Sequence, residues 1–152
     1  MRNLSEVEIR LRDAQVSLST AQRLFLAEDY RAVVQNAQLC IELSAKAMIA
    51  YYEEPAWTHD PSEELLKILE EHGEEIAEML GNEVESLYTL AMDVRVAAPW
   101  HARSTYGMRS KDGIWLPAMD VCTKEMAEGL LERARRSYQM AARFSRHLGL
   151  DR

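Results

Sequence analysis

Between Arg95 and Lys111 the sequence changes sign. Its charged residues there are Arg95, Arg103, Arg109 and Lys111, with no Asp or Glu among them, in a chain of formal charge -7. Guanidinium and ammonium groups hold phosphate oxygens, and aromatic rings stack on unpaired bases. The same stretch supplies rings at Trp100, His101 and Tyr106, with Trp115 just beyond. Residues of these types, so close together, fit the binding of a nucleotide or an RNA end. A duplex-DNA binder needs a broad basic surface, which an acidic chain does not offer.

The other histidines invite less. His59 lies beside Asp60, and His72 lies near Glu71 and Glu75. Neither arrangement repeats a metal-ligand spacing, so neither a metal site nor a cofactor is expected. His59 is expected to make a turn or cap hydrogen bond. Glu42 and Lys46, at i and i+4, read as a helix-surface ion pair.

The segment must be positioned by helices. Leu4, Leu11, Leu18 and Phe25 recur every seven residues with Val7, Ala14 and Ala21 between them, which is the seam of a long amphipathic helix. Ser5 and Glu8 have capping-box spacing at its start. A turn near Glu28–Asp29, with Asp29 as cap, leads into a second helix from about Tyr30 to Tyr52. Its inner face (Val33, Ala37, Cys40, Ile41, Ser44, Ala45, Met48, Ile49) is rich in small residues, which predicts close antiparallel packing. Pro55 ends it, and Glu53–Asp60 forms a loop. Asp60, Pro61 and Glu63 open a third helix that falters at Gly73 and stops at Gly81. A fourth runs from roughly Glu83 to Ala97, closed by Pro99. From Pro99 to Cys122 no periodicity holds, and long irregular segments in small domains are often functional. Thr123 caps a last helix to about Leu148.

At 152 residues, 47% hydrophobic and 28% charged, the chain fits a single all-α domain over 1–152, an antiparallel bundle of four or five helices with a long irregular loop before the last. No apolar run approaches the ~20 residues of a membrane span. Cys40 and Cys122 form no CxxC pair, and the start is not signal-like, so two reduced thiols in a cytoplasmic protein are expected.

Three stretches carry a family likeness: DYRAVVQNAQLCIELSAKAMIAYYEEPAWTHD, with Glu42 to Ala47 and the Thr58-His59-Asp60 turn at its centre; RVAAPWHARSTYG; and TKEMAEGLLERARRSYQMAARF. In order and spacing the chain resembles the HEPN domain family, in particular its small single-domain prokaryotic members, from roughly Leu11 to Arg143. The resemblance implies an antiparallel bundle that often dimerises through its long helices. It also implies one of several activities: metal-independent RNA cleavage, nucleotide binding, or pairing with a separately encoded minimal nucleotidyltransferase in toxin–antitoxin systems.

The family's ribonuclease motif is Arg, four to six residues, then His. Arg95 and His101, separated by VAAPW, fit it. The imidazole would move the proton of a ribose 2′-hydroxyl, and the guanidinium would hold the phosphate as its charge grows. Two features oppose catalysis: Val96 stands where catalytic members place a polar residue, and Pro99 falls inside the motif. The structural alternative pairs Arg95 with a helix carboxylate and leaves His101 in a solvated loop. The sequence therefore reads as a binding domain with neither metal nor cofactor expected, and with Arg95, Trp100, Arg103, Tyr106, Arg109 and Lys111 as contacts for a nucleotide or RNA. A homodimer and a nucleotidyltransferase partner are expected, with no membrane contact. The alternatives are an endoribonuclease using Arg95 and His101, and a purely structural interaction module.

Overall fold

The computed structural model describes residues 4–149. Helix α1 (Leu4–Leu26) leads to α2 (Tyr30–Tyr52), α3 (Ser62–Glu71) and α4 (Gly73–Leu80). A short 3-10 turn (Gly81–Glu83) precedes α5 (Val84–Ala97) and α6 (Trp100–Tyr106). Strands β1 (Met108–Arg109) and β2 (Trp115–Leu116), then α7 (Ala118–Val121), lead into α8 (Lys124–His147). The ends of the single-domain reading, 1–3 and 150–152, lie outside the described residues. Among the described residues no helix is long and apolar enough to cross a membrane.

The all-α bundle expected from the periodicity is what forms, with α2 at its centre. This helix packs against α1, α3, α5, α6, α7 and α8, so nearly its whole circumference is buried. Small residues allow that: Ala37, Cys40, Ala45 and Ala47 are almost fully enclosed, and backbones approach closely where side chains are short. On α1 the interleaved Val7, Ala14 and Ala21 carry the contact, while Leu4 is 41% exposed. Asp29 and Thr123 cap as expected, accepting from the amides of Ala32 and Met126 at 3.3 and 3.2 Å. Ser5 sits within α1, so the described helix does not use it as a cap.

Two local expectations change. Pro99 interrupts the α5 hydrogen-bond ladder, having no N–H, yet Ala98 and Pro99 keep right-handed helical dihedrals and α6 begins at once. The stretch from Pro99 to Cys122 is therefore built from α6, a two-strand antiparallel hairpin pairing Met108 with Leu116 and Arg109 with Trp115, and α7. Gly107 makes the junction possible. At φ +86° its Cα faces the Leu116 carbonyl so closely that a Cβ would lie 2.0 Å from the oxygen. Cys40 and Cys122 are buried free thiols, and burial pushes Cys40 up to about 12, which makes it a poor nucleophile.

Candidate functional site

Helix α6 is short and would not hold its shape alone. Its C-terminal carbonyls are tied to α2: Arg31 Nε donates to Ser104 O at 2.7 Å, an Nη to Thr105 O at 3.1 Å, and Gln35 Nε2 to Ser104 O at 3.2 Å. A cation at that end also meets the negative pole of the helix. At the other end Trp100 is 7% exposed and anchors α6 in the core. His101, next in sequence, is thereby held on the outside in the first turn of α6.

The His101 ring stacks on that of His59, centroids 3.5 Å apart and planes within 19°. His59 Nδ1 lies 3.0 Å from Glu42 Oε1. A carboxylate only accepts, so Nδ1 carries a proton and donates it to Glu42. Glu42 is buried on α2. Its Oε1 also accepts from Gln38 Nε2 at 3.1 Å, and its Oε2 from Lys46 Nζ at 3.2 Å. Gln38, Glu42 and Lys46 thus form a ladder of i, i+4 steps along α2, and three donors share the one carboxylate. Beside this network, Gln35, Gln38, Leu39, His101, Ser104 and Thr105 line an open depression of about 260 Å³.

The sequence model of the HEPN domain family matches residues 7–144. The chain belongs to that family. No curated protein sequence matches it. Family membership places the HEPN domain among nucleotide- and RNA-related proteins, while the site rests on its own residues.

Within this HEPN domain the residues singled out from sequence divide into three groups. Arg95 is exposed in the last turn of α5 and has no hydrogen bond or ion pair among the described residues, so the carboxylate partner envisaged for it is not formed. Trp100 cannot offer a face to a base: its ring is buried and Arg103 covers it, the guanidinium carbon 5.3 Å from the ring centroid. Tyr106, Arg109, Lys111 and Trp115 gather at the hairpin, where Trp115 Nε1 donates to Tyr106 O at 3.0 Å. Arg109 donates to Gly113 O at 2.7 Å while lying 5.8 Å over the Trp115 ring.

Glu42, Lys46 and His59 do not lie where their local spacing places them. The Glu42–Lys46 pair is not on the surface: the two side chains are 8% and 10% exposed. His59, expected to close a local turn, instead reaches across to Glu42 and His101, while Thr58 and Asp60 make the turn by accepting from the amides of Asp60 and Ser62. A signal existed, because the charges at 42 and 46 interrupt a run of small and apolar residues on a helix read as central.

A second buried carboxylate was not anticipated at all. Asp93 of α5 is 1% exposed and accepts from Arg133 Nη1 and from Arg136, whose Nε lies 2.6 Å from Oδ2 and whose Nη2 meets Oδ1. The hydrogen bonds from Arg136 to Asp93 push that guanidinium above its ordinary value. Arg133 and Arg136 together pin α8 to α5.

Proposed function

We propose that this HEPN domain binds single-stranded RNA through the face around His59 and His101, with Arg95 and Arg103 as its phosphate contacts and the Tyr106–Trp115 hairpin as a stacking surface. The observation that carries the reading is the stacked, exposed imidazole pair above the buried Glu42 network. It offers flat rings and hydrogen-bonding nitrogens to a base or phosphate, and His101 lies on an acid-free basic stretch of an acidic chain. The family's nucleotide- and RNA-related character supports the same ligand class.

The test is fluorescence anisotropy with a short single-stranded RNA in EDTA. His101→Ala and Arg95→Ala should each weaken binding by roughly tenfold, the size of losing one hydrogen bond to a charged group. Undiminished affinity in both variants would remove the site assignment.

A second reading is favoured by one observation, the His59–Glu42 bond that fixes an imidazole tautomer. In it the domain is a metal-independent endoribonuclease. His101 takes the 2′-hydroxyl proton, the 2′-oxygen attacks the phosphorus held by Arg95, and the P–O5′ bond breaks as the 5′-oxygen takes a proton from water, giving a 2′,3′-cyclic phosphate and a 5′-hydroxyl. Cleavage in EDTA that vanishes in His101→Ala is its expected result, and binding without cleavage returns the first reading. We also propose a homodimer, supported by the exposed stripe of Tyr88, Met92 and Val96 on α5 beside Arg95. Light scattering that finds only monomer at tens of micromolar would end that part. A minimal nucleotidyltransferase is the first protein partner to try in co-purification.

A further inference from the structure

The groove between α5 and α8 has the makings of an anion site, and it shares no lining residue with the His101 depression. Asp93 fills only part of the donor capacity around it. Arg136 spends Nε and one Nη2 hydrogen on Asp93, and a guanidinium has five N–H groups, so three remain. The Arg136 and Arg133 side chains are 48% and 35% exposed, so these donors are within reach of a ligand. Glu132 also acts on Arg136 and Glu83 on Arg143, so the pull on an anion comes from these unfilled donors rather than from an excess of positive charge.

Arg143 lines the same groove with Gln139, Ser86 and Thr89, enclosing about 170 Å³ over a floor of Leu90 and Met140. Among the described residues Arg143 has a single ionic contact, to Glu83 at 3.3 Å, in which both side chains are partly exposed. An independent observation points to a ligand. Ser137 lines the groove, is 1% exposed, and its hydroxyl has no hydrogen-bond partner among the described residues. A buried hydroxyl without a partner costs free energy that a bound acceptor would recover.

We propose that this groove binds a phosphate monoester, its oxygens on Arg136, Arg143 and the Ser137 hydroxyl and its organic part over Leu90 and Met140. The planar fork of an arginine matches two phosphate oxygens, and an alkyl or aryl group gains by covering the apolar floor. The ester can be a free small molecule or the 5′ end of an RNA, and the site does not depend on the RNA-binding face proposed above.

The test is isothermal titration with inorganic phosphate, phenyl phosphate, and short RNAs bearing a 5′-phosphate or a 5′-hydroxyl, paired with thermal unfolding. Saturable millimolar or tighter binding of phenyl phosphate, stronger than that of inorganic phosphate, is expected. Preference for the 5′-phosphorylated RNA would identify the RNA end as the source. Equal affinity for the two RNAs would identify the small ester. Ser137→Ala and Arg143→Gln leave the Asp93 clamp intact, and each should weaken phenyl phosphate binding by roughly tenfold. Ser137→Ala should also raise the melting temperature of the ligand-free protein, because it deletes an unpartnered buried hydroxyl. No saturable phosphate binding, or unchanged affinity in both variants, would overturn the site while leaving the His101 reading untouched.

Discussion

Glu42 and Asp93 are both carboxylates buried on packed helices, and they are neutralised in opposite ways. Two of Glu42's three partners, Gln38 and Lys46, stand one turn away on its own helix, so they tie nothing together. Among the described residues its only bond to another element goes to His59, an imidazole with 59% of its side chain exposed. Among the described residues the Asp93 carboxylate takes all its side-chain hydrogen bonds from α8, through two guanidinium groups. A carboxylate cross-linked by guanidinia is a structural joint. A carboxylate satisfied locally, with one bond left for an exposed imidazole, is a device for holding that imidazole.

The contrast is most open to breakage at Asp93. Replacing both cations, Arg133→Met with Arg136→Met, leaves a buried carboxylate without counter-charge and should cost about 3–5 kcal/mol in urea unfolding. A loss below about 1 kcal/mol would mean that water or another group reaches Asp93, and the joint would then be no joint. At Glu42 the same operation should hurt less. Lys46→Met removes the cation, but Gln38 and His59 still donate, so about 2 kcal/mol is expected. Adding Glu42→Leu should recover most of that loss, and a double-mutant cycle reads the recovery as coupling.

These two regions also show how far the sequence could be read. The bundle was legible because periodicity, caps and breakers act locally: Asp29, Thr123 and Gly81 mark helix ends wherever the helices go. His101 and Arg95 were legible as one spacing. Their surroundings were not. Whether Glu42 and Lys46 face water depends on what packs over α2, and the loop bringing His59 to Glu42 spans seventeen positions of sequence that no periodicity connects. Asp93 meets its arginines across forty or more residues, a pairing that only the packing of α5 on α8 specifies. Trp100 erred in the other direction: an aromatic in a basic stretch reads as a stacking platform, but α6 needs an anchor and buries it.

The smallest expected change in stability sharpens the comparison most. In His59→Ala, Glu42 loses the partner that is itself mostly solvated, keeps Gln38 and Lys46, and gains access to water where the ring stood. Unfolding free energy should fall by less than about 1 kcal/mol, as for other pairs with one exposed member. His101 loses the ring it stacks on, so RNA affinity should fall several-fold while the fold stays put. A large stability loss with unchanged affinity would reverse the assignment and make His59 a strut of the loop. The opposite split would mean that the Glu42 network exists to hold two imidazoles at the surface, which the cation clamp on Asp93 cannot do.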